Sequence, residues 1–330
     1  MNRLRTKKHI LTLCRLLIGV ALALALIYLT LRRTDTQLWH QLQDIILPFI
    51  GACFAFYGIM LVVGAIRWQL LLRVQGITIP FFKICRLQLI GFFFNLAVPS
   101  AVGGDVVKMG YAFPYAPARK TEIVFSIIID RVLGLMGLFT IAGIAVLLAI
   151  GNISELGNTI KTGAYIVALA SLSGIALFLG MEFHEQILRH RWIVPIINFM
   201  RRKLPESAML VCRKLITGLD MYRQARKTLA VAFALSICVH TCLALALLTT
   251  GWSLGGDELE VREYFVTAQV ANAIASAPIT PGGLGVRDKS SQEFLLAFGM
   301  PPGKSGAIPV TLTLVILSWA LIGAVVFIFT

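Results

Sequence analysis

The chain has 330 residues, of which 58% are hydrophobic and only 14% charged. Soluble proteins average about 45–50% apolar and 25% charged residues, so a soluble globular reading is excluded. The formal net charge of +14 sits in Lys and Arg residues set between apolar runs; it points to loops facing an anionic membrane surface, and no motif for nucleic acid accompanies it.

A helix rises about 1.5 Å per residue and the hydrocarbon core is roughly 30 Å thick, so a span needs about 20 residues. The N-terminal tail carries Arg3, Arg5, Lys7, Lys8 and Arg15, followed by an apolar run over 10–31. That run is longer than a signal peptide's and Arg32 and Arg33 follow it directly, so it is expected to remain as an uncleaved first span. Five more segments qualify: 45–66, 123–150, 163–181, 229–250 and 308–329. Two apolar stretches, 86–98 and 264–277, are short, about 20 Å each as helices, and each ends in a Pro/Gly cluster.

Loop charge sets the threading. The tail, the stretch 67–86 (Arg67, Arg73, Lys83, Arg86, no acid) and the stretch 182–227 are basic and are expected in the cytoplasm. The stretch 251–263 holds Asp257, Glu258, Glu260 and Glu263 against Arg262 and belongs outside. The segment 86–98 must then enter and return on the cytoplasmic side, and 264–277 on the outer side. The expected fold is an all-α polytopic membrane protein with about six full transmembrane helices plus two re-entrant or short helical elements in an inverted repeat; eight thin spans are the alternative. It is read as one membrane domain over 1–330: a first helix and outer loop (1–44), a first repeat (45–181), a basic loop (182–228) and a second repeat (229–330).

Both short segments end in one pattern, P-x3-G-G-x2-V-[KR]. The first copy runs from Pro99 through Gly103, Gly104 and Asp105 to Lys108; the second runs from Pro278 through Pro281, Gly282, Gly283 and Gly285 to Arg287. Inverted repeats with broken helices near mid-membrane are a recurrent transporter architecture. Irregular backbone is tolerated there only in a polar cavity or buried in protein. Glycine pairs permit positive φ and close approach, and helix N-termini offer N–H groups to an anion. With Lys108 and Arg287 at matching places, the combination suits a lipid phosphate headgroup. Asp130 and Arg131 lie a turn or two inside the span 123–150, where charges are costly and usually paired. They are expected to face the cavity near Asp105 or Arg287, or else to form a structural ion pair.

Other features have plainer readings. Trp39, Trp68 and Trp252 lie near span ends and read as interfacial anchors. His240, inside an apolar run, reads as buried and paired. Cys238 and Cys242 share a helix face while His240 points elsewhere, so neither metal nor cofactor is expected.

Arg67-Trp68, Asn95-x3-Pro99-Ser100-x2-Gly103-Gly104-Asp105, Asp130-Arg131-x2-Gly134-Leu135 and Pro281-Gly282-Gly283-Leu284-Gly285-Val286-Arg287, in that order, resemble the flippase-like membrane domain of lysylphosphatidylglycerol synthases. The likeness covers most of the chain. It implies two re-entrant elements meeting around a lipid cavity, and translocation of an anionic phospholipid or polyprenyl-phosphate lipid between leaflets. It carries site roles onto Pro99, Gly103, Gly104, Asp105, Asp130, Arg131, Gly282, Gly283, Gly285 and Arg287. Two departures stand out: Lys108 where Arg is common, and Asp288 after Arg287 where Glu is common. No soluble aminoacyl-transfer domain fits these residues, so aminoacylation by them alone is not expected. The partners expected are membrane lipids with anionic headgroups and a separate lipid-modifying enzyme, in a plasma or inner membrane with the N-terminus cytoplasmic. The rival readings are a membrane-embedded transferase using Asp105 and Asp130 as acid or metal groups, and a non-transporting partner subunit.

Overall fold

In hydrocarbon every backbone N–H and C=O must be paired within the protein, so long apolar segments fold as helices. The computed structural model describes residues 45–98, 103–148, 161–162, 165, 169, 221–222, 224–277 and 280–330. Among them run α1 (Leu47–Val74), α2 (Phe81–Ala97), α3 (Gly103–Ala112), α4 (Lys120–Leu148), α5 (Arg226–Ser253), α6 (Val261–Ala275), α7 (Val286–Ala297) and α8 (Pro302–Ile328), with no strand. The helices α1, α5 and α8, and α4 with the short turn before it, are long and apolar enough to cross a membrane. The chain is an all-α polytopic membrane protein. The expected span 10–31 lies outside the described residues, as do Trp39, nearly all of 163–181 and most of the basic loop 182–228.

Contacts at the helix ends give the directions. The N–H of Ile46 donates to the Ser253 carbonyl at 3.0 Å, while the Tyr222 hydroxyl donates to the Leu71 carbonyl, so α1 and α5 run antiparallel. The Arg119 guanidinium donates to the carbonyls of Gln75 and Gly76, which sets the start of α4 beside the end of α1. Arg86 donates to Thr330 at 2.9 Å and brings the end of α8 to the same place. These contacts define a basic end of the bundle. At the opposite, acidic end, Lys304 bonds the Gly255 carbonyl and Glu258, tying the start of α8 to the turn after α5.

The short helices fold as two hairpins entering from opposite ends. From the basic end α2 runs inward, and α3 returns along it: the N–H of Gly104 donates to Asn95 Oδ1 at 3.0 Å, and Lys108 donates to Gln88 at 2.8 Å. From the acidic end α6 runs inward, and α7 returns antiparallel to α8, with Gln292 against Gly306 and Arg287 bonded to Thr313. Among the described residues the chain therefore changes direction between α2 and α3 and again between α6 and α7. The 17 residues of α2 and the 15 of α6 reach about 25 and 22 Å, so the hairpin tips can meet inside the bundle. They do: a Cβ placed on Gly282 would touch the Leu96 side chain and the Asn95 carbonyl, at the tip of α2.

Several hydroxyls within the spans are satisfied on their own helix. Thr140, Thr241, Thr249, Thr250 and Ser318 donate to carbonyls one turn back on their own helices. Packing between spans uses close approach. Trp319 stacks on Phe54 with ring centroids 4.6 Å apart, donates to the Phe54 carbonyl and lies across Gly58. A Cβ on Gly323 would run into the Leu89 carbonyl, so α2 and α8 touch backbone to backbone there. Gly323→Leu is expected to cost about 1–3 kcal/mol by overpacking, read as a lower thermal midpoint in detergent. Gly51→Ala, at a site with open space around it, should leave the midpoint unchanged or slightly raised. Equal midpoints for the two variants would mean that α2 and α8 do not meet at Gly323.

Candidate functional site

A charge in the bundle interior must find a partner or be expelled. Arg67, on α1, is 8% exposed, and its Nε donates to Asp130 Oδ1 on α4 at 2.7 Å. Its second donor bonds Ser236 Oγ on α5 at 2.8 Å, and the guanidinium lies alongside Gly134. One turn beyond Ser236, His240 Nε2 bonds the Gly134 carbonyl at 3.0 Å. The Asp130-x3-Gly134 spacing thus does two things on one helix face: Asp130 supplies the counter-charge to Arg67, and the Gly134 carbonyl supplies an acceptor to His240.

Arg67 does not lie in a basic loop, and Trp68 is not an exposed anchor at a span end; both expectations are corrected. The helix continues to Val74 and carries both residues into the core. Trp68 is fully buried and donates from Nε1 to Ser126 at 3.1 Å. Consecutive helical residues point about 100° apart, so Arg67 addresses α4 and α5 while Trp68 addresses α4 and α3. The face of Trp68 receives Lys108, whose Nζ lies 3.8 Å from the ring centroid.

The same 100° step separates Asp130 from Arg131. They do not face one cavity together: Asp130 turns to Arg67, and Arg131 turns outward to form an ion pair with Asp105 on α3. The Arg131 side chain is 41% exposed and the Asp105 side chain 14%, so this pair forms the rim of the cluster. Lys108 is 4% exposed; its direct contacts are the neutral Gln88 and Trp68, and the Asp105 and Asp130 carboxylates act on it through space without touching it.

Arg287 belongs to a second cluster. Its guanidinium donates to Thr313 Oγ1 at 2.9 Å and lies 3.6 Å from Asp288, and the Thr313 hydroxyl donates to Asp288 Oδ1 at 2.8 Å. The other Asp288 oxygen accepts the N–H of Gly285 at 3.1 Å and caps α7. Beside Arg287 a narrow crevice is lined by Tyr57, Asn272 and Ser291. Tyr57 and Arg67 are ten residues apart on one helix, about 15 Å. Lys108 and Arg287, though equivalent in sequence, therefore occupy separate places on either side of the hairpin tips.

The two glycine pairs solve their turns differently. Gly282, Gly283 and Gly285 adopt φ of 55°, 72° and 79°, in the left-handed region that other residues enter only with strain. Gly103 and Gly104 instead open α3 in helical conformation; there glycine is needed because a Cβ on Gly104 would collide with the Gly91 carbonyl and the Asn95 amide. Both helix N-termini already carry a carboxylate in the first turn, Asp105 on α3 and Asp288 on α7. Pro281 begins the turn Pro281–Gly283, and Pro99 lies outside the described residues. Sequence reasoning did not assign Gln88, Tyr57 or Thr313 to either cluster; a single polar residue in an apolar helix was the only signal each offered.

The chain matches the family model described as lysylphosphatidylglycerol synthase TM region over residues 16–325. It is also similar to a UPF0104 membrane protein of Pyrococcus horikoshii, 21% identical over 323 residues, with 93% of this chain and 91% of the relative covered.

Removing one partner of a buried ion pair leaves an uncompensated charge. Asp130→Asn is expected to lower stability by about 3–5 kcal/mol, whereas Arg131→Gln, at a half-exposed pair, should cost less than about 1 kcal/mol. Thermal unfolding of the two variants in detergent checks this. Similar small shifts for both would show that the Arg67–Asp130 pair is not desolvated.

Proposed function

The chain belongs to the lysylphosphatidylglycerol synthase TM-region family, and we propose that it moves an anionic lipid, a phospholipid or a polyprenyl-phosphate lipid, between the two leaflets. The observation that carries this reading is the meeting of the two hairpin tips at Asn95 and Leu96, entered from opposite ends of the bundle. A lipid headgroup crosses hydrocarbon only along polar groups held at intermediate depth. The two clusters supply such groups about 15 Å apart along α1. The Asp105–Arg131 pair supplies the entrance on one side, and Arg287 with Tyr57 and Asn272 the station on the other. Access alternates as one hairpin and its neighbours rock against the other. The basic end faces the cytoplasm, by the excess of Lys and Arg there. No covalent chemistry is assigned to Asp105 or Asp130, because each is bound to an arginine.

The test is reconstitution into liposomes carrying a fluorescent anionic lipid in both leaflets, with dithionite quenching of the outer one. Wild-type protein should expose the inner pool to quenching faster than protein-free vesicles do. Gly283→Ala, at a φ of 72° and against Ala275, should slow that exposure at least about tenfold by straining the second hinge. Protein vesicles that quench no faster than empty ones would overturn the transport reading.

A further inference from the structure

Every buried cation needs compensation, because desolvating a charge without a partner costs several kcal/mol. In the first cluster three cations, Arg67, Lys108 and Arg131, stand against two carboxylates, Asp105 and Asp130. Each arginine already holds one carboxylate. Lys108, the most deeply buried of the three at 4% exposure, holds none. It rests on the Gln88 amide oxygen and on the face of Trp68. Arg287, the cation at the matching place in the second hairpin, has Asp288 beside it. The first cluster therefore contains one cation more than its carboxylates, and that cation rests on two neutral acceptors.

Such a placement has a use. A cation–π contact and an amide oxygen are weaker partners than a carboxylate. An arriving anion can take Lys108 without breaking a salt bridge, whereas engaging Arg67 or Arg131 first requires displacing an aspartate. We infer that Lys108 is the anion anchor of the site, that Trp68 and Gln88 are its resting place, and that the anion it selects is a phosphodiester with a single negative charge. The inference deepens the transport reading above by naming the headgroup chemistry. A phosphodiester matches the single excess charge. A terminal phosphomonoester carries close to two negative charges at neutral pH and would leave one uncompensated in the interior. A zwitterionic headgroup brings a cation of its own toward Arg131 and Lys108. Two kinds of lipid carry the required group: a glycerophospholipid with an uncharged headgroup alcohol, and a polyprenyl phosphate esterified to a sugar.

The test uses the full chain in phosphatidylcholine nanodiscs, titrated with short-chain phosphatidylglycerol, a short-chain polyprenyl phosphoryl sugar, short-chain phosphatidic acid and the free polyprenyl phosphate. The expected order is tighter binding of a diester than of either monoester, and the better of the two diesters identifies the lipid class. Lys108→Met should weaken diester binding at least about tenfold, and Lys108→Arg should keep most of it. The thermal midpoint of Lys108→Met should stay level or rise, since an apolar side chain replaces a buried charge that holds no carboxylate in direct contact; that readout separates an anchor from a structural lysine. Undiminished diester binding by Lys108→Met, or monoesters bound as tightly as diesters, would overturn the inference while leaving transport untouched. Wild-type protein that binds the diester but moves no lipid would overturn the transport reading and support the anchor.

Discussion

The structure depends on one constraint: a backbone that turns around inside a membrane must have its N–H and C=O groups covered by protein. Each hairpin is too short to cross and must reverse at depth. Neither tip can face lipid, so each covers the other. The tip of α2 does this with two adjacent residues. Asn95 accepts the N–H of Gly104 in its own hairpin, and its carbonyl and Leu96 lie against Gly282 of the other. Close approach is possible because no Cβ stands at Gly104 or Gly282. The internal repeat is thus more than two copies of a turn, since each copy shields the other.

Electrostatics then builds outward from that junction. The Arg67–Asp130 pair joins α1 to α4, and the second arginine donor brings in α5 through Ser236. Three spans are pinned around a single guanidinium, a role that arginine's several fixed donors fit and a lysine would fill less well. Next to it, a half-exposed pair and a lysine on an aromatic face complete a cluster in which strong and weak contacts are sorted by depth. The buried pair is structural, and the rim pair, exposed to solvent or headgroups, is cheap to open.

Much of this was legible in the residues. Long apolar runs marked the four spans found among the described residues, because lipid imposes helix on any such run. Loop charge and segment length together required two reversals, and P-x3-G-G marked where they occur. The pairing of Asp130 and Arg131 was less legible. Adjacent letters suggested one cavity-facing dyad, but a helix turns about 100° between them and sends them to different partners. Arg67 and Trp68 failed for a related reason: a basic residue followed by tryptophan at the end of an apolar run looks like an interface, and only their burial against neighbouring helices shows otherwise. The equivalence of Lys108 and Arg287 held in sequence but not in place, because the hairpins point in opposite directions and carry equivalent residues to opposite sides of the junction.

The two hairpins are also held differently, which bears on how the bundle can move. Asp288 is used within its own unit, on Gly285 and Arg287 of α7 and on Thr313 of the adjoining α8. Asp105 is used across units, from α3 to Arg131 on α4. Rocking α3 away from α4 must therefore break an ion pair, whereas moving α7 together with α8 breaks none of those. The broken pair is the exposed one, and its two members are the charges an arriving headgroup would meet first. The contact that would yield if α3 moved away from α4 is therefore the half-exposed Asp105–Arg131 pair, while the buried Arg67–Asp130 pair between α1 and α4 could stay intact.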